Sequence, residues 1–192
     1  MKKLSLFITI GLAATIQACH NGAKDSTIKT DSTSVTTADG TRTDSSKTIA
    51  TPDTGIVNFI LAAGGGGIAE IAKSKLAIQQ SKNRKVINFA NMMITDHTDA
   101  DNKLTAIAKS KNISPPTGPD TDQQNQISDL SKKKGIDFDK AYVKQMIADH
   151  KKTISLFEGA RETLKDSIVK SFINATLPTL HKHLTTINSI KK

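Results

Sequence analysis

The chain has one cysteine, Cys19, so no disulfide can form within it and a cysteine-built zinc site is excluded. It has no tryptophan and a single tyrosine, and aromatics make up 4% of its 192 residues. The formal net charge of +9 would suit nucleic acid. No aromatic side chains are interleaved with the basic ones to stack on bases, so nucleic-acid binding is set aside. Residues 55–192 contain no sustained period-two alternation and no Asn-Gly or Asp-Gly turn, which excludes a hairpin-built sheet. Nor is there a nucleophile motif, a Ser/His/Asp or Cys/His arrangement, or a phosphate-binding loop, so catalysis without a metal has nothing to carry it.

What is present starts at the N-terminus. Lys2 and Lys3 precede an apolar stretch from Leu4 to Ala14. A bilayer span needs about 20 apolar residues. This run is too short for that and has the length of a signal-peptide core. It leads into Ile16-Gln17-Ala18-Cys19, which resembles a bacterial lipobox. The expectation is that residues 1–18 are removed and Cys19 is acylated. Acyl chains contribute about 0.8 kcal/mol per buried CH₂, enough for a durable anchor when several are attached. The competing reading is a plain secretory signal with an incidental cysteine. The lipid reading places the protein in the cell envelope, at the outer membrane, facing the periplasm or the surface.

Residues 19–54 read as a disordered tether. Fifteen of residues 20–54 are Ser or Thr, and the only aliphatics larger than alanine there are Ile28, Val35 and Ile49. Such a segment buries too little apolar surface to offset its ordering entropy. It carries four Lys/Arg against five Asp, net −1, whereas residues 55–192 carry 21 Lys/Arg against 13 Asp/Glu, net +8. That excess suits anionic envelope components, or simply the solvated faces of helices.

Residues 55–190 read as one helical domain. A first helix is expected over Ile56 to Ser81, started by Pro52 and Asp53. Gly64 to Gly67 should break it, bend it, or let another backbone approach. A second runs from Arg84 to Ser110, with Val86, Phe89, Ala90, Met93, Ala100, Leu104 and Ile107 at helical spacing. Ile113 to Pro119 is a loop, and Asp120 caps a short helix ending near Lys134-Gly135. Asp137 is the candidate cap for a helix over Phe138 to Leu164. Asp166 caps a last one, Ser167 to Ile190, which Pro178 should kink. Two helical hairpins joined by a long crossover give an all-α, four-helix-bundle organisation.

The second and third long helices echo one another. Phe89, Met93, Ile94, Asp96 and His97 recur as Tyr142, Met146, Ile147, Asp149 and His150, offset by 53 residues throughout. His97 continues the stripe of Ala90, Met93, Ala100 and Leu104, and His150 sits among Val143, Ile147, Ile154 and Phe157. His183 falls in the run Leu180–His183–Ile187, and Glu70 in Ile60, Ala63, Gly67, Glu70, Ser74, Ala77. Each long helix thus turns one ionisable side chain inward, and a buried carboxylate is rare unless paired. At about 1.5 Å per residue the four lie within a few ångströms of one level, measured from the two interhelical turns. Glu70, His97, His150 and His183 are therefore a candidate donor set for zinc, iron, manganese or copper. Asp96 and Asp149 lie about 100° round from the adjacent histidines and could orient a histidine on the next helix. Met93 and Met146 share the histidine faces, as copper(I) would favour, although methionine at such spacing also fills cores. Glu158, two turns beyond His150, is a further candidate, and His181 faces away.

With these residues in hand, the chain resembles a family of exported bacterial proteins with a ferritin-like bundle, domain of unknown function 4142, whose members are labelled outer-membrane proteins. The likeness lies in Phe59 to Glu70, Phe89 to His97, Phe138 to His150 with Phe157-Glu158, and Thr176-Leu177-Pro178 to His183-Leu184. It implies a ferritin-like fold over residues 55–188 and marks Glu70, Asp96, His97, Asp149, His150, Glu158 and His183. It implies no activity. The Glu-x-x-His pairs of di-iron oxidases are missing. Two readings stand: an envelope lipoprotein with a Glu/His metal centre, and a non-catalytic structural or interaction lipoprotein with a metal-free polar core.

Overall fold

The computed structural model describes residues 52–191, so the signal segment, Cys19 and the tether up to residue 51 lie outside the described residues. Those described form five helices and no strand: α1 Thr54–Gln80, α2 Arg84–Ser110, α3 Thr121–Ser131, α4 Gly135–Thr163 and α5 Ser167–Lys191. The helix starts follow local chemistry. The Asp53 carboxylate accepts from the backbone N–H of Gly55 and Ile56, Asn83 from Lys85, and Asp166 from Ile168 and Val169. Asp120 and Gln123 form a reciprocal capping box at α3. α4 departs from expectation. It begins at Gly135, whose φ of +54° is open to glycine, with Lys134 as an N-cap lacking a side-chain bond. Asp137 lies inside the first turn, where its charge suits the helix dipole.

Two further expectations resolve in the packing. α1 runs unbroken through Gly64–Gly67, and these glycines serve close approach. A methyl group at Gly64 would sit 2.7 Å from Pro116 Cγ of the α2–α3 loop. α5 likewise runs on through Pro178 as one helix. Of the described helices, α1 is long and apolar enough to cross a membrane. Its buried Phe59, Ile60, Ala69 and Ala77 are those of a core helix packed between α2 and α4.

α1 packs on α2 and α4, and α5 packs on α4 and α2, so α1 faces α5 and α2 faces α4 along the diagonals. The interior holds two apolar clusters. One joins Phe59 and Ile60 of α1, Leu104 of α2, Phe157 of α4, and Phe172 and Ile173 of α5. The other joins Ala77, Val86, Phe89, Met93, Leu130, Phe138, Tyr142, Met146 and Ile187. Aromatic edges stitch both: Phe59 meets Phe157 at 5.0 Å, and Phe89 meets Tyr142 at 6.3 Å. Reading each helix through the clusters gives its direction: α1 and α5 run one way, α2 and α4 the other. The waist between the clusters falls near residues 70, 97, 150 and 183.

Candidate metal centre

At that waist the interior is polar. Glu70, His97, His150 and His183 are all buried, at 2, 7, 0 and 0% exposure. One ring nitrogen from each histidine lies within 4.8 Å of the other two. The His97 and His183 rings stack at 5.3 Å, and His150 stands edge-on to both, at 5.8 and 5.4 Å. Phe89 closes one side, 6.4 Å from His150 and 6.3 Å from His183.

Hydrogen bonds fix which nitrogen is spent in two of the three rings. Nδ1 of His150 donates to the Met146 carbonyl one turn earlier, at 2.8 Å. Nε2 of His183 donates to Asp96 Oδ2, also at 2.8 Å. Nδ1 of His97 lies 3.3 Å from Glu70 Oε2. The opposite nitrogens (His97 Nε2, His150 Nε2 and His183 Nδ1) are buried without a partner. A neutral imidazole that donates through one nitrogen presents a lone pair on the other, the form that binds metals. A carboxylate or carbonyl behind the donating nitrogen fixes the tautomer and raises ligand basicity.

Electrostatics keep the rings neutral. Burial first, then the neighbouring histidines, pushes His97 down to about 3. Burial lowers His150 to about 4, against the raising effect of its bond to Met146, and burial lowers His183 against Asp96. Glu70 moves the other way. Burial, reinforced by Asp149 and offset by Lys73, raises it to about 8. Its oxygens stand 3.3 Å from Nδ1 of His97 and of His150, yet neither makes a hydrogen bond. Glu70 therefore sits against the Nδ1 edges of two rings.

The other marked residues separate. Asp96 holds a histidine of the adjacent helix. Asp149 does not: it pairs with Lys73 Nζ at 2.8 Å, because its side of α4 meets α1 at that lysine. Lys73 is 1% exposed and also donates to Gln126 of α3 at 2.9 Å. Glu158 is corrected outright. It is half-exposed on the surface, 3.8 Å from the exposed His181, because eight residues of helix carry it off the inward stripe. Sequence reasoning missed Lys73 and the bond between Ser74 Oγ and the Tyr142 hydroxyl. The signal available was position: Lys73 lies one turn from Glu70 and one residue from Ser74, on the edge of the inward stripe.

The family described as domain of unknown function, DUF4142, matches residues 41–190. The chain belongs to the DUF4142 family. No curated protein matches it. Among solved structures this DUF4142 chain is similar to a DUF305 fragment from Deinococcus radiodurans, with TM-score 0.66 and 11% identity over 73% of this chain and 97% of that one. It is also similar to a DUF305 protein from Streptomyces coelicolor described as a candidate secreted protein, with TM-score 0.62 and 9% identity over 71% of this chain and 89% of that one. At such identities the likeness shows a shared all-helical fold between DUF4142 and DUF305 domains.

Proposed function

We propose that this DUF4142 protein is an exported envelope lipoprotein whose four long helices form a ferritin-like bundle binding one transition-metal ion through His97, His150 and His183. Glu70, 3.3 Å from His97 and His150, would lose its proton to balance the charge of a bound ion, and Asp96 orients His183. The observation that carries the reading is the set of five buried, unpartnered polar atoms on four converging residues: both Glu70 oxygens, His97 Nε2, His150 Nε2 and His183 Nδ1. Each such atom costs about 1–3 kcal/mol when left unmade, so the set rivals a domain's whole stability. Neutral imidazoles, two of them backed by a hydrogen-bond acceptor, suit zinc, copper, iron or manganese, with nitrogen donors favouring the first three.

The test is a melting series of the full chain with each metal after chelator treatment. At 100-fold excess over the dissociation constant, binding stabilises the native state by about 2.7 kcal/mol, roughly 10 °C for a domain of this size. His150→Ala should remove the shift. If no metal raises the melting temperature, the centre is a hydrogen-bonded polar core and the reading fails.

Export and lipid attachment are supported by the Leu4–Ala14 run, the lipobox-like segment before Cys19 and the secreted description of one structural relative. Cys19→Ser should abolish labelling by a fatty-acid analogue and release the protein from the membrane fraction. Unchanged fractionation would reject the anchor.

A further inference from the structure

The three-histidine centre does not end at its ring nitrogens. A cavity of about 40 Å³ lies beside it, and His97, His183 and Glu70 are in its wall. A water needs about 10–15 Å³ of such space, so the cavity itself encloses about three or four heavy atoms. Much of its wall is apolar, from Ala63, Ala100, Leu104, Phe157, Phe172 and Leu180, with Thr153, Thr176 and Thr179 between them. The ionisable side chains in the lining, the histidines apart, are all acids. Asp96, Asp101 and Glu70 contribute carboxyl groups, and no lysine or arginine takes part. That is unexpected in residues 55–192, which carry 21 Lys/Arg. A surface groove between α2 and α5 shares Asp96, Ala100, Phe172, Thr176 and Thr179 with this cavity and adds Asp99 at its rim. Solvent therefore meets the cavity through an acidic mouth with one lysine, Lys103, beside it.

We propose that the metal centre takes a small neutral molecule of the diatomic or triatomic class as an exogenous ligand, housed in this cavity. The inference rests on the metal reading above. The volume is too small to enclose an amino acid or a sugar whole. The acidic lining works against anions, because Asp96 and Asp101 oppose the pull that the ion itself would exert on them. The largely apolar wall accommodates a neutral molecule, and the ion would supply most of the attraction. Two of the three proposed ligands, His97 and His183, border the space, so an ion held by them is open to it.

The experiment uses the full chain loaded with cobalt(II), whose absorption reports loading and whose EPR signal disappears when nitric oxide binds the ion. Ala100→Leu on α2 and Ala63→Leu on α1 each fill the cavity from a different helix without lowering helix propensity. The expected result is loss of the cobalt signal with nitric oxide in the parent protein. At least one leucine variant should keep cobalt absorption and helical content while binding nitric oxide tenfold or more weakly. Cobalt loading with an EPR signal indifferent to nitric oxide would overturn this inference and leave the metal reading standing. Azide binding more tightly than nitric oxide would overturn the neutral class. A protein that takes up no metal at all would overturn the metal reading itself, and this inference with it.

Discussion

Two alanine substitutions, two residues apart in α1, should have opposite effects. Both replace a helical glycine, and alanine is favoured there by about 1 kcal/mol. At Gly66 a methyl group meets nothing within 4 Å, so Gly66→Ala should keep nearly all of that gain. At Gly64 the methyl would stand 2.7 Å from Pro116 Cγ, 3.2 Å from Pro116 Cδ and 3.6 Å from Leu104 Cδ2. A proline ring cannot swing aside as a long side chain would, so the loop itself must shift. Overpacking of this kind costs about 1–3 kcal/mol, which outweighs the propensity gain and leaves Gly64→Ala about 1 kcal/mol less stable than the parent. The two variants should thus differ by about 2 kcal/mol, or roughly 6–10 °C in melting temperature. Thermal and urea unfolding followed by far-ultraviolet circular dichroism would measure the gap. A Gly64→Ala protein as stable as Gly66→Ala would refute the reasoning, because it would mean that the loop around Pro116 is not held against α1.

Three further outcomes follow from the waist. In the metal-free protein, His97, His150 and His183 have folded-state values below the usual 6.5, so only the unfolded chain takes up those protons and stability drops as pH falls below 6.5. Glu70, raised from 4.5 to about 8, keeps its proton only when folded, so its contribution is full below 4.5 and lost as pH rises through 8. Urea midpoints should therefore peak at about pH 6–7, and a curve still rising at pH 9 would contradict both assignments. Glu70→Gln should weaken metal binding by about 10–100-fold without abolishing it, as measured by calorimetry; complete loss would make Glu70 a direct ligand. Asp149→Ala strands the buried Lys73 ammonium and should cost about 3 kcal/mol in denaturant unfolding, more than Lys73→Met, which leaves only the partly exposed Asp149 alone. Equal costs would mean that the pair is not what anchors α1 to α4.

The waist was legible because its signal is periodic. One helical repeat aligned His97 with Met93 and Leu104, and another aligned Glu70 with Gly67 and Ser74; counting from the turns did the rest. Helix starts were legible where a side chain caps, at Asp53, Asp120 and Asp166. At α4 a glycine at positive φ does the work and Asp137 reads as a false cap. Asp96 and Asp149 looked equivalent in sequence. Their different fates depend on what the facing helix offers, a histidine on α5 and a lysine on α1. That is tertiary information. The glycine run left three outcomes open, and the choice required knowing where Pro116 would land.

The 53-residue echo sits on α2 and α4, which run parallel on one diagonal, while α1 and α5 run parallel on the other. Such an arrangement has an approximate two-fold axis along the bundle, exchanging Asp96 with Asp149 and His97 with His150. Under that exchange α5 corresponds to α1, so His183 falls opposite Glu70, and Asp96 gripping His183 falls opposite Asp149 gripping Lys73. The two halves are alike in their aromatic, methionine and histidine positions and differ in what the outer helices supply. A fully symmetric molecule would put the same side chain at both outer positions. Here one half gives an acid with a lysine beside it and the other a third imidazole, so two halves that are similar in sequence build an asymmetric centre.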